Sequence, residues 1–278
     1  MQLSNMERKQ PIGIFDSGIG GLTVAKAIST LLPNEQMIYF GDTAHFPFGD
    51  KSEESIKNYS HGISEFLLRQ NCKAIIIACN TASSLASSYL KNLLPVNFPL
   101  IDVISPVAQF LHSSNYKKVG VVATKGTIRS SIYPRSINDL SPEIYVSSLA
   151  TPLLAPMIEE AFFNNNISQT VINEYLSNHQ LKKIEALILG CTHYPLIEAE
   201  IKQYYKTTNR RVFILNSAEV VAFEVQRILN DKNILSESLE NEHHFYVSDF
   251  TDSFEKSTKI FFGNELSLEK KNIWEAKI

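Results

Sequence analysis

Two cysteines, Cys79 and Cys191, sit in matching contexts 112 residues apart (191 − 79). Residues 74–84 read AIIIACNTASS, and residues 186–196 read ALILGCTHYPL. Each stretch is a short apolar run, then the thiol, then small polar residues, then a new segment. A thiol between the end of a strand and the start of a helix meets unpaired N–H groups and a partial positive charge. Its pKa, about 8.5 in free cysteine, can be lowered there, and the same N–H groups can hold a carboxylate. Neither loop contains Arg or Lys, so backbone amides and Ser, Thr and Asn side chains are the available anion holders. The third cysteine, Cys72, lies between a helical pattern and a strand and reads as a small buried hydrophobe.

The elements that must carry these loops alternate along the chain. Apolar runs at residues 11–15, 37–40, 74–78, 100–104, 119–123, 144–149, 187–190 and 212–215 read as strands. Between them lie helical patterns at 22–32, 53–69, from about 82, after Ser105-Pro106, 157–163, 171–178 and 217–229. Alternating short apolar strands and helices predict an α/β fold with mostly parallel sheets. The order also repeats. IGIFDS at 12–17 is echoed by VGVVAT at 119–124, an offset of 107 (119 − 12), and the cysteine loops recur at 112. Two pseudo-symmetric lobes of ordinary domain size follow. The stretch from 231 to 278 is weaker, with one strand expected near 245–247.

Composition narrows the function. The chain has 278 residues, 44% hydrophobic and 20% charged, with a net charge of −3. No basic tract supports nucleic-acid binding. No apolar run approaches the roughly 20 residues that cross a bilayer, and MQLSNMERKQ opens no signal-type region. A cytoplasmic location is expected. Three thiols are no disulfide framework, and no CxxC pair or His/Cys cluster marks a metal site.

Ligands of parallel α/β sheets bind at the carboxyl ends of the strands. If the two lobes face each other, their strand-end loops share one cleft. Asp16, Ser17, Phe48, Gly49, Cys79, Asn80 and Thr81 would come from the first half. Thr124, Thr127, Cys191, Thr192 and His193 would come from the second. Two thiols in such a cleft could be a redox pair, two nucleophiles, a metal clip or two proton carriers. A metal clip wants more ligands, and redox pairs are usually close in sequence. Removing a proton from one face of a tetrahedral carbon and returning one to the other needs one acid/base group per side. A duplicated fold supplies that pair. Asp16 is the candidate neighbour of Cys79, and His193 that of Cys191.

IGIFDSGIGGLTV, YFGDTA, IIACNTAS and LILGCTHYPL, in this order and spacing, resemble the glutamate racemases of the aspartate/glutamate racemase superfamily. The resemblance runs from about Ile12 to Glu219. It implies cofactor-independent interconversion of L- and D-glutamate, feeding D-glutamate to peptidoglycan and so to cell-wall biogenesis and cell shape. It implies that Cys79 handles the α-proton of D-glutamate and Cys191 that of L-glutamate. Asp16, Ser17, Asn80, Thr81, Thr192 and His193 match the family's substrate contacts, Thr124 and Thr127 its carboxylate pocket, and Glu159 an acidic position behind the site. The family is bi-lobed, with the C-terminal segment returning to the first lobe. That implies lobes of 1–101 with 217–278, and 102–216, and commonly a homodimer. Two positions depart from the pattern: Phe48 stands where the family usually has Tyr, and His45 where many members have Arg. An aspartate racemase of the same superfamily and a non-catalytic two-lobed amino-acid binder are the alternatives.

Overall fold

A computed structural model of the chain describes residues 5–250, 255, 258–259 and 267–274. Helix α1 (Asn5–Arg8) precedes β1 (Ile12–Asp16), α2 (Leu22–Leu31), β2 (Met37–Gly41), α3 (Glu53–Arg69), β3 (Ala74–Ile77), α4 (Asn80–Leu93) and β4 (Leu100–Asp102). Helix α5 (Ser105–His112) leads to a second series, β5 (Lys118–Ala123), α6 (Lys125–Arg129), α7 (Ile132–Leu140) and β6 (Tyr145–Ala150). That series continues through α8 (Leu154–Glu159), α9 (Asn166–Leu176), β7 (Ala186–Gly190), α10 (Glu198–Thr207) and β8 (Phe213–Leu215). Helix α11 (Ser217–Asp231), β9 (His244–Val247) and β10 (Leu268–Lys270) complete the elements.

The strands form two sheets, ordered β10-β9-β2-β1-β3-β4 and β6-β5-β7-β8. Every described pairing is parallel. Parallel strands covered on both faces read as unbroken apolar runs, which is why IGIFD, AIII and ALILG were legible. All residues of β1, β3 and β7 are buried.

The internal echo extends to register. Strands β2-β1-β3-β4 and β6-β5-β7-β8 have the same relative order. Ile12 lies opposite Ala74, and its counterpart Val119 lies opposite Ala186. In both sheets the chain leaves the first strand for one neighbour and then crosses to the other side. Such a reversal opens a crevice at the carboxyl ends of the strands. The loops after β1 and β3, and after β5 and β7, flank the two crevices.

The halves share a core on one side. Buried residues of α2 (Leu22, Ile28), α5 (Val107, Leu111) and α11 (Val221, Val225, Leu229) pack in one cluster with Ile12, Ile14, Val119, Val121 and Ile188 from both sheets. Burying the three α11 side chains contributes about 1.5–3 kcal/mol each.

Several elements differ from the sequence reading. The helix expected at 157–163 runs from Leu154 to Glu159, and Ala161 beyond it is left-handed at φ 53. The helix expected at 171–178 starts at Asn166, because Asn165 and Ser168 form a capping box. Helix α5 starts at Ser105 itself rather than after Ser105-Pro106. Asp102 at the end of β4 takes the N–H groups of Ile104 and Ser105 at 2.9 and 2.8 Å. Cys191 is followed by a 3-10 turn, Tyr194–Ile197, before α10, not directly by an α-helix. Strand β10 was not expected; its pairing with β9 is made by backbone, and LEK carries little apolar pattern.

Candidate active site

Four strand-end loops converge. From β1, Asp16 accepts the Gly18 N–H at 3.0 Å, which folds the turn that presents Ser17. From β3, Cys79 is the N-cap of α4, its sulfur accepting the Ala82 N–H at 3.5 Å. From β5, Thr124 caps α6. From β7 come Cys191, Thr192 and His193. A fifth loop, after β2, adds Phe46, Pro47, Phe48 and Gly49.

Cys79 and Cys191 border one small cavity, together with Ser17, Asn80, Thr192 and His193. Its volume, ≈ 20 Å³, is room for about one water. Thr81 and Thr124 also border it, their hydroxyls 2.9 Å apart across the two halves. Thr127 stands just behind, 3.2 Å from Thr124 and 3.4 Å from Thr81. A larger hollow of ≈ 560 Å³ between α2, α11 and Pro195-Leu196 contains neither thiol.

Glycines allow this approach. A Cβ on Gly20 would lie 2.5 Å from the Thr192 hydroxyl and 2.6 Å from the His193 ring. One on Gly49 would lie 2.8 Å from the Thr124 Cβ. The two halves therefore meet at glycine on both sides of the cavity.

The thiols have different neighbours. Burial pushes the Cys79 thiol up to about 12; the Asp16 carboxylate adds to this, and the Ala82 N–H and Ser17 hydroxyl oppose it. Cys79 donates to the Ser17 hydroxyl at 3.7 Å. That hydroxyl can turn its proton to the sulfur once the sulfur ionises. Cys191 lies 3.6 Å from Nδ1 of His193, whose Nε2 makes a very short hydrogen bond to Glu159. Burial alone would lower the His193 pKa, but the Glu159 carboxylate and Cys191 outweigh it and hold it well above the ordinary value. Asp16 is fully buried. Burial raises its pKa against the opposing His193 charge and Gly18 N–H, and its second oxygen accepts from Thr192 at 3.1 Å.

Thus Ser17, Phe48, Gly49, Cys79, Asn80, Thr81, Thr124, Cys191, Thr192 and His193 border the cavity, while Asp16, Thr127 and Glu159 stand behind it. Phe46, Pro47 and Ala155 also border it, and sequence reasoning passed over them. Phe46 is a bulky apolar residue in a loop, 5.9 Å from the His193 ring, and nothing local marks it as a wall. Phe48 is 1% exposed and packs on Tyr59, which leaves a hydroxyl at that position little access to water. His45 does not border the cavity. It stacks on Tyr59 at 4.0 Å and bonds Asp42, which also receives Ser248 and Trp274. The weak C-terminal stretch therefore braces the loop that carries Phe46–Gly49. Among the described residues, no group of three or more His, Cys, Asp or Glu is placed to hold a metal. Among the same residues, no helix is long and apolar enough to cross a membrane.

The profile of the Asp/Glu/hydantoin racemase family matches residues 20–222. The chain belongs to that racemase family. The glutamate racemase of Geobacter metallireducens is 40% identical over 257 residues, 92% of this chain and 93% of the relative. The crystal structure of Francisella tularensis glutamate racemase with D-glutamate superposes with a TM-score of 0.88 at 38% identity. It covers 96% of this chain and 99% of the other. The Thermus thermophilus glutamate racemase in complex with β-chloro-D-alanine gives 0.84 at 36% identity, over 95% and 97% of the two chains. As a member of this racemase family the protein is an isomerase that acts on a small molecule, and its two-sheet α/β architecture is the one its relatives share.

Proposed function

We propose that the protein racemises glutamate by moving the α-proton between its faces with Cys79 and Cys191, without a cofactor. The observation that carries this reading is the shared cavity: two thiols, from equivalent strand ends of the two sheets, border one small space. From D-glutamate, Cys79 as thiolate takes the α-proton and Cys191 as thiol returns one to the opposite face. From L-glutamate the roles reverse. Cys79, held as a thiol by burial and Asp16, stands ready to donate. The substrate's ammonium, brought near Asp16, offsets the carboxylate and eases ionisation of Cys79. The imidazolium of His193 faces the Cys191 sulfur at 3.6 Å, placed to give or take a proton there, and Glu159 keeps that imidazolium charged. Asn80, Thr81, Thr124 and the first-turn amides of α4 hold the carboxylates.

The lobes are taken as 1–101 with 217–278, and 102–216, parting to admit substrate. The product serves peptidoglycan synthesis in the cytoplasm, and the working form is a homodimer. Incubation with L-glutamate, without pyridoxal phosphate, drives optical rotation to zero, whereas L-aspartate keeps its rotation. Binding of glutamate with unchanged rotation contradicts the proposal, as does turnover of aspartate alone.

A further inference from the structure

The mechanism leaves one buried polar contact across the cleft unused. Tyr133, on α7, is 1% exposed, and its hydroxyl donates to Oδ1 of Asn80 at 2.6 Å. Asn80 is 2% exposed and borders the cavity. Its other amide atom, Nδ2, is buried and meets no hydrogen-bond partner among the described residues. A buried donor left unmade is costly, and a group of this kind in a native site calls for an explanation.

A side-chain amide has two unlike ends. Turned one way, Asn80 offers the cavity an N–H donor, and turned the other way, an oxygen that repels an anion. Tyr133 decides between them. Its hydroxyl proton has no other acceptor among the described residues. With Oδ1 toward Tyr133 that proton is satisfied. With the amide reversed, Nδ2 would donate to the phenol oxygen and the hydroxyl proton would be stranded. Burial, with the Asp102 carboxylate nearby, keeps the phenol neutral and able to donate.

We propose that Tyr133 is a positioning residue for substrate: it locks the Asn80 amide so that Nδ2 faces a carboxylate of the bound amino acid. This rests on the reading of the cavity as an amino-acid site. Tyr133 belongs to the half that carries β5–β8 and Asn80 to the half that carries β1–β4. The bond therefore forms as the halves meet, so the donor is set when the site closes over substrate.

The test is steady-state kinetics on Tyr133→Phe, which keeps the ring, on Asn80→Ala, and on the double variant. A contact made equally in ground and transition states raises KM and spares kcat. Tyr133→Phe should raise KM for both enantiomers about 5–10-fold, with kcat held within about twofold. In the Asn80→Ala background the same change should add less than about twofold, because contacts that act as one unit are not additive. Asn80→Asp, which keeps the acceptor for Tyr133 and removes the donor, should bind glutamate more weakly than Asn80→Ala. Full additivity of the two single changes overturns the proposal, since a merely structural tyrosine would act in either background. So does an unchanged KM in Tyr133→Phe, or an Asn80→Asp protein that binds as well as Asn80→Ala. Wild-type protein that racemises while these couplings are missing defeats the Tyr133 role alone. Wild-type protein inert toward glutamate defeats the functional reading with it.

Discussion

Glu159→Gln removes one charge and almost no volume from behind Cys191. The pair it breaks is buried, with side chains 2% exposed for His193 and 6% for Glu159. Removing one partner of a buried pair costs roughly 3–5 kcal/mol when the other stays charged. Imidazole can shed its proton instead, so the expected loss is the low end, about 3 kcal/mol. Without the carboxylate, burial is opposed only by Cys191 and the Asp16 charge, and the balance moves toward the neutral ring. A group with a raised folded pKa stabilises fully below its unfolded value, near 6.5 for His. That contribution is lost as pH rises through the raised value. Urea unfolding should therefore show the largest gap between wild type and Glu159→Gln below about pH 6.5, narrowing as pH rises through the raised His193 value. The ratio kcat/KM should fall about 10²-fold, the low end for a positioned acid/base group. It should fall equally in both directions, because the enantiomers have equal free energy in water and the two kcat/KM values must stay equal. A stability gap independent of pH, or kcat/KM unchanged at pH 7, would refute the coupling of Glu159 to Cys191 through His193.

Gly20→Ala places a Cβ 2.5–2.6 Å from Thr192 and the His193 ring. It should cost about 1–3 kcal/mol in a urea melt and about 10²-fold in kcat/KM, since the His193 loop must shift. With Cys79 pushed up to about 12, the 240 nm thiolate absorbance of wild type and Cys79→Ser should coincide from pH 6 to pH 9. A step near pH 8 in the difference would contradict the burial and Asp16 effects.

Much of the framework was legible because parallel strands must be continuously apolar. Most of the first eight strands follow a run such as IGIFD or ALILG, the half-exposed β6 with its two serines being the weakest, and the offsets between the halves became matching strand register. The polar residues after those runs could be named because loops at strand ends poorly suit a core. Asp16 and Thr127 were expected at the cavity and instead stand behind it, since depth depends on how the halves meet. Tyr133 reaches Asn80 across 53 residues of sequence, and nothing local marks it. Trp274 reaches Asp42 across 232 residues from a stretch with no clear period. Such contacts depend on tertiary packing, which period and composition do not encode.

The central claim is one thiol per face of the α-carbon, and proton exchange in deuterated water with single-cysteine variants tests it most directly. Cys191→Ser retains Cys79 and should exchange the α-proton of D-glutamate while leaving L-glutamate protonated. Cys79→Ser should do the reverse, and neither should racemise at more than a small fraction of the wild-type rate. Exchange of the same enantiomer by both variants, or near-full racemisation by either, would contradict the account.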